Sequence, residues 1–197
     1  MNKGRLEAFS DGVFAIAATL LVLGLVLPAL SHPSEAAIFR ALLATWPSIV
    51  AYILSFFVIG IMWMNHHALF RSLERVDRPT FLFNLLLMAI TAFIPFATSV
   101  LGSYPTSKTA TFFYGLVLTL ASTSYNLMLM HVVKAGLFSQ KIGPARISQT
   151  VVNYRIGLVI YALAMVISLL APLVSYLAYI LIAVFYLIPR GVDETLE

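Results

Sequence analysis

Apolar segments of about 20 residues recur along the chain and restrict it to one kind of architecture. The first covers about residues 6–27, and the later ones are separated from it and from one another by proline, glycine and charge. A helix of about 20 apolar residues crosses the hydrocarbon core of a bilayer. Because 61% of the residues are hydrophobic and only 10% are charged, the polar surface is too small for a soluble globule. The sequence therefore predicts an all-α integral membrane protein.

The boundaries of these segments predict six transmembrane helices in a single domain, residues 1–197. The second helix is expected to begin at Pro47, where the missing N–H costs nothing in a first turn. The last apolar tract, residues 151–188, is too long for one span and is divided by Pro172, so we expect two short helices there. The other predicted spans are residues 6–27, 47–70, 79–101 and 111–133.

A short segment between the first two spans, residues 35–45, has a different pattern. Ile38, Leu42 and Leu43 fall on one side of a helix built from it. An amphipathic helix of this kind lies in the plane of the membrane interface. We therefore expect a surface helix here and not a further span.

Lysine and arginine are distributed unevenly between the two sides of the predicted bundle. With six spans, one side carries only Arg40 and Lys108. Because cytoplasmic loops carry the excess of Lys and Arg, both termini of this multi-pass protein are expected in the cytoplasm. The net charge of +4 then reflects topology, and we expect no nucleic-acid partner. The basic residues of the other side are Lys3, Arg5, Arg71, Arg75, Arg78, Lys134, Lys141, Arg146, Arg155 and Arg190.

The residues needed for catalysis or coupled transport are scarce. The chain has no cysteine, and the adjacent His66 and His67 point about 100° apart on a helix, so they cannot ligate one metal ion together. No catalytic residue and no metal site are predicted, and an enzyme is not expected. A secondary transporter would be expected to show inverted repeats or helices broken near the midplane, and neither pattern is present.

The first span fits a channel better. Ile16, Leu20 and Leu23 recur at i, i+4 and i+7 and place three branched side chains along one stripe. Because most faces of a membrane helix are apolar, this spacing alone does not separate a pore lining from a lipid contact. Thr19 lies beside the stripe, and a hydroxyl in this position usually bonds to a carbonyl of the preceding turn.

Ser10 and Asp11 are unusual at the start of an apolar helix. A charged side chain within a span is costly unless it is paired, interfacial or facing water. Two interpretations follow from the residues. Either Asp11 belongs to a polar network with other residues at the same end of the bundle, or Ser10 and Asp11 form an N-cap at the interface.

Three segments carry a family resemblance that extends over most of the chain. The segment RLEAFSDGVFAIAATLLVL closely resembles the signature first helix of the transmembrane protein 175 family of potassium channels, in its prokaryotic single-repeat form. The segments WMNHHALFRSLERVD and NLLLMAITAFIPFATSVL also match that family. The resemblance implies a homotetramer in which each first helix lines a central pore, without a P-loop selectivity filter.

The resemblance also implies roles for individual residues. Ile16 would form the narrowest constriction, with Leu20 and Leu23 as further layers of a hydrophobic gate. Thr19 would take part in selectivity for K⁺, the permeating ion, and no cofactor is implied. The residues implied to form a structural polar network are Arg5, Phe9, Ser10, Asp11, His66 or His67, and Asn84.

These observations together predict a potassium-permeable channel of a prokaryotic plasma membrane. Its expected partners are membrane lipids, further copies of the same chain and K⁺ ions. A weakly selective cation or proton leak through the same pore is the main alternative, and a secondary transporter is a more distant one.

Overall fold

The computed structural model describes residues 2–30 and 32–186, which form seven α-helices and no strand longer than an isolated bridge. This confirms the predicted all-α class. A single 3₁₀ turn, Leu21–Gly24, continues the first helix. The helices are α1 (Lys3–Leu20), α2 (Glu35–Ala44), α3 (Trp46–Arg71), α4 (Arg78–Ser103), α5 (Lys108–Lys134), α6 (Pro144–Ile167) and α7 (Pro172–Tyr186).

Five of these helices are long and apolar enough to cross a membrane: α1 with its 3₁₀ turn, α3, α4, α5 and α6. The sixth, α7, has 15 described residues, or about 22 Å at 1.5 Å per residue, which is short of the roughly 30 Å hydrocarbon core. The predicted end of this span, at residue 188, lies outside the described residues. The expected count of six thus corresponds to five full-length helices and a further apolar helix, α7, of which 15 residues are described.

Two predicted boundaries are wrong. The first α-helix ends at Leu20, and the chain beyond the 3₁₀ turn is irregular, although it stays apolar to Leu27. A Cβ on Gly24 would lie only 3.3 Å from the Cβ of Ser99, so the turn packs closely on α4. The helix α6 begins at Pro144, seven residues before the predicted start at Val151, because its first turns are polar and extend beyond the apolar tract.

The helix α1 lies at the edge of the bundle. It packs against α3 and α4, and it does not contact α5, α6 or α7. The buried core continues through α3, α4 and α5, where Phe70, Leu87, Ile94 and Met128 have almost no exposed surface. One face of α1 is therefore fixed by the bundle, and the opposite face is left uncovered within the subunit.

Three basic segments meet at one end of the bundle. The Lys3 ammonium donates a hydrogen bond to the carbonyl oxygen of Leu73 (2.7 Å) in the α3–α4 loop. That loop pairs with the α5–α6 loop, because Glu74 N–H donates to the Leu137 carbonyl (3.0 Å) and Ser139 N–H donates to the Ser72 carbonyl (2.9 Å). The N-terminus and both loops thus share one side of the molecule, as the distribution of basic residues predicts.

Candidate functional site

The helix α1 has two faces of different character. Leu6, Ser10, Phe14 and Ala17 point into the bundle and are buried. On the opposite side, the side chains of the predicted apolar stripe are exposed: Ile16 by 60%, Leu20 by 41% and Leu23 by 70%. The 3₁₀ turn preserves this stripe, since residues three apart eclipse each other in a 3₁₀ helix and Leu23 follows Leu20 at that spacing.

Thr19 lies next to the stripe and is exposed. Its Oγ1 donates a hydrogen bond to the carbonyl oxygen of Ile16 (2.9 Å), the local bond expected from the sequence. Because the hydrogen is used in that bond, the lone pairs of Oγ1 remain available as acceptors, which is the form of oxygen that a cation requires. Among the described residues, no group of three His, Asp or Glu side chains lies close enough to hold a metal ion.

The buried face of α1 is tied to α3 and α4 by hydrogen bonds. Asn84 Nδ2 donates to Ser10 Oγ (2.9 Å), and Ser10 Oγ donates to the Leu6 carbonyl (2.9 Å). Because the Asn84 amide nitrogen is directed to Ser10, its Oδ1 accepts from Nε2 of His66 (2.7 Å). Ser10, His66 and Asn84 are all at least 99% buried. The structure thus brings together three of the residues expected in a polar network, and His66 is the histidine that takes part.

Asp11 has a partner that the sequence interpretation missed. Trp63 Nε1 donates a hydrogen bond to Asp11 Oδ1 (2.8 Å), which joins α1 to α3 beside the Ser10 network. The ring of His67 lies over the Trp63 indole, with their centroids 6.0 Å apart. An indole N–H is a hydrogen-bond donor with no acceptor function. Trp63 lies one helical turn before His67, a histidine that the sequence places near Asp11. This spacing was the signal in the sequence for a bond between Trp63 and Asp11.

The N-cap interpretation of Ser10 and Asp11 is wrong. The helix begins at Lys3, and Asn2 is its N-cap, with the side-chain oxygen accepting from the N–H of Arg5. Ser10 and Asp11 therefore lie two turns inside the helix. Asn84 of α4 donates to Ser10 and Trp63 of α3 donates to Asp11, so neither residue caps the helix end.

Arg5 and Phe9 lie outside the network within one subunit. Six residues separate Arg5 from Asp11, which places them about 120° apart around the helix. Both Arg5 and Phe9 are exposed, and they line a groove against Phe81 and Leu85 of α4. Within residues 2–30 and 32–186, Arg5 forms no ion pair. Any charge partner it has must come from outside the described part of the subunit.

A second polar cluster lies at the basic end of the bundle. Asp77 caps α4 by accepting from N–H (2.9 Å) and Oγ1 (2.6 Å) of Thr80, and its other oxygen lies 2.8 Å from Nε2 of His131 at the end of α5. Partial burial by itself would raise the pKa of Asp77, but the hydrogen bonds from Thr80 and His131 outweigh it and lower the pKa to about 2. His131, to which the sequence assigned no role, thus ties α5 to α4.

This lowered pKa predicts a specific loss of stability in acid. The carboxylate of Asp77 stabilises the fold fully above its unfolded pKa, and the contribution disappears as the pH falls from about 4 towards 2. Asp77→Asn keeps a residue suited to the N-cap but cannot titrate. We expect its unfolding temperature in detergent to decline less than that of the wild type over this interval. Parallel curves for the two proteins would contradict this role of the carboxylate.

Known proteins are similar to this chain over the helices that form this site. The family model of the endosomal/lysosomal potassium channel TMEM175 matches residues 5–95, which contain α2, α3 and most of α1 and α4. A potassium channel of Streptomyces collinus is 39% identical over 163 residues, which cover 80% of this chain and 78% of that protein. The chain belongs to the TMEM175 family. The family resemblance drawn from the sequence is therefore confirmed, and the family is one of ion channels, not enzymes.

A solved structure of the TMEM175 family supports the fold over nearly the whole chain. The crystal structure of a Chamaesiphon minutus homologue of TMEM175, a lysosomal potassium-selective channel, superposes with a TM-score of 0.85 at 31% identity. The match covers 94% of this chain and 96% of that one. Human TMEM175, described as an endosomal/lysosomal proton channel, is 38% identical over 103 residues, which are 49% of this chain and 20% of the human protein.

Proposed function

We propose that this chain is the subunit of a homotetrameric, potassium-permeable channel whose pore is lined by α1. The observation that carries the proposal is the division of α1 into a face anchored to α3 and α4 by buried hydrogen bonds and an exposed apolar face. The description of relatives as potassium channels supports K⁺ as the permeating ion. No further cofactor is required.

A pore of this kind requires several copies of the chain. One helix cannot enclose a channel, whereas identical subunits related by a closed rotation place the same face of α1 around an axis. The exposed stripe supplies the surface for such an arrangement. In a ring of four, the Ile16 side chains would form the narrowest, dry region, with Leu20 and Leu23 as further apolar layers of the gate.

Thr19 supplies the polar element of the proposed pore. Its exposed oxygen can accept from water or contact a cation, while its hydrogen is held by the Ile16 carbonyl. Without a fixed ring of carbonyl groups, selectivity would depend on pore width, dewetting and this hydroxyl layer. We therefore expect modest selectivity for K⁺ over Na⁺.

Thr19→Ala tests this role. The substitution removes an oxygen acceptor and leaves the apolar constriction unchanged, so the K⁺ over Na⁺ flux ratio should fall roughly threefold to tenfold with a smaller change in total flux. Thr123→Ala on α5 is the matched control, since Thr123 also donates to a carbonyl of its own helix, that of Thr119. Equal flux ratios in both variants and the wild type would contradict the assignment.

The proposed location is the plasma membrane of a prokaryote, with both termini in the cytoplasm. The shared position of Lys3 and the two basic loops at one end of the bundle supports this orientation, because the side with excess Lys and Arg faces the cytoplasm. At the other end, Ile38, Leu42 and Leu43 of α2 are exposed, which suits a helix that rests on the membrane surface among the lipids.

A second candidate function is a weakly selective cation or proton leak through the same pore. It is favoured by the human relative, which is described as a proton channel. Protons can move along a chain of hydrogen-bonded water molecules. A transient chain past Ile16 would therefore conduct protons even when a hydrated K⁺ ion cannot pass. The two functions differ in the current that remains when K⁺ is replaced by an impermeant cation.

Flux from purified protein in liposomes tests the proposal. We expect passive K⁺ efflux that exceeds Na⁺ efflux, from particles that contain four 21.7 kDa subunits by native mass spectrometry. Proton flux without K⁺ flux would favour the second function. Saturable uptake coupled to a counter-ion would indicate a transporter, and monomeric particles would contradict the pore model.

A further inference from the structure

A cavity lies on the side of the bundle away from α1. It is lined by residues of α3, α5, α6 and α7, is partly open to the surroundings, and has an inner volume of about 60 Å³ for the centres of water-sized molecules. Because α1 does not contact α5, α6 or α7, this cavity is separate from the proposed pore. Its role is not explained by permeation.

One side-chain amide faces this cavity and forms no hydrogen bond with the residues that the structure describes. Asn65 is 8% exposed and lines the cavity, but among the described residues its side chain forms no hydrogen bond; only its backbone carbonyl accepts, from the Tyr125 hydroxyl (2.6 Å). Buried polar side chains in proteins are normally hydrogen-bonded. The other buried asparagines follow that rule, since Asn84, Asn126 and Asn153 all use their side-chain amides in hydrogen bonds.

The walls around this amide are mostly aromatic and apolar, and Ser122 is a further polar side chain among them. The rings of Tyr125 and Tyr154 are stacked with centroids 4.7 Å apart, and Leu118, Ala121 and Tyr161 complete much of the lining. No charged side chain lines the cavity, so it offers nothing to an ion. The surroundings suit a molecule with a flat apolar body and a single polar group.

We propose that this cavity binds a small neutral aromatic alcohol of the phenol class. Its hydroxyl would hydrogen-bond to the amide of Asn65, and its ring would pack against the aromatic and aliphatic walls. A lipid acyl chain would fill the apolar part but leave the buried amide unpaired, at a cost in free energy. Water would satisfy the amide but leave the apolar walls wet. A phenol satisfies both.

The test is photolabelling of the purified full-length protein with a diazirine-bearing phenol, in competition with unmodified phenol. We expect saturable, competed labelling of α3 and α5 peptides that contain Asn65 and Ala121. Asn65→Leu removes the hydrogen bond and replaces the amide with an apolar side chain of similar size. It should raise the phenol concentration needed for half-maximal competition roughly threefold to tenfold.

Ala121→Phe fills the cavity and should abolish the competed labelling. Ala36→Phe, on the exposed surface of α2, is the matched control and should label like the wild type. The unfolding temperature of each variant shows whether it is folded. If Ala121→Phe does not fold, Asn65→Leu alone tests the proposal. Wild-type competition in folded Asn65→Leu, or a tightly bound acyl chain recovered from the cavity, would overturn the proposal.

Discussion

Asn84→Ala is expected to destabilise the protein by about 2–4 kcal/mol, because it leaves the buried His66 N–H unpaired at about 1–3 kcal/mol and removes the bond to Ser10, worth about 1 kcal/mol. Asn84 donates to Ser10 and accepts from His66, and all three side chains are inaccessible. Since the network holds α1 against α3 and α4, the proposed tetramer should also dissociate more readily.

Thermal unfolding in detergent and native mass spectrometry measure both effects. Ser10→Ala should be milder than Asn84→Ala, because it removes a single donor–acceptor contact between helices and leaves the Asn84–His66 bond intact. Thr123→Ala is the matched control, as its hydroxyl bonds only to a carbonyl of its own helix. An Asn84→Ala protein as stable as Thr123→Ala would mean that the network does not hold α1 in place.

Ile16→Ala is expected to raise the K⁺ flux by at least about tenfold, which corresponds to lowering the barrier by about 1.4 kcal/mol. In the proposed ring, four isoleucine side chains exclude water, and the barrier to a hydrated cation depends on their size and polarity. Truncation widens this region. Ile16→Asn should have a similar effect by making it polar, and both variants should show a weaker preference for K⁺ over Na⁺.

The control for this experiment is Ile53→Ala. Ile53 is 47% exposed and lies on α3, so its truncation removes the same atoms from an exposed site off the α1 stripe. Its flux and ion preference should match the wild type. Conductance and selectivity unchanged in Ile16→Ala, on protein shown to be folded and tetrameric, would exclude Ile16 as the gate.

The sequence was sufficient for the membrane class and for much of the buried network. Long apolar runs specify helices that cross a bilayer, because an unpaired backbone group in lipid is too costly. The residues of the network came from the family resemblance, and the structure pairs Ser10 with Asn84 as expected of buried polar side chains. The choice between His66 and His67 needed the rotation of α3, which apolar periodicity does not fix when nearly every face of a helix is apolar.

The sequence was insufficient where the outcome depended on angular position or local packing. Arg5 was expected near Asp11, but a spacing of six residues points their side chains about 120° apart around the helix. Trp63 instead donates a hydrogen bond to Asp11. In the 3₁₀ turn after Leu20, Gly24 lies close to Ser99 of α4, a contact that hydropathy does not predict. Hydropathy reports how apolar a segment is and does not report its helical geometry.

Cysteine modification at Leu23 tests most directly whether α1 lines the permeation pathway. The chain has no cysteine, so a single Leu23→Cys substitution gives one reactive site, and Leu177→Cys on α7 provides a control of similar exposure, 61% against 70%. With a charged thiol reagent that reacts completely at both sites, we predict a blocked or strongly reduced K⁺ current only for Leu23→Cys. An unchanged current in fully modified Leu23→Cys protein would contradict a pore lined by α1.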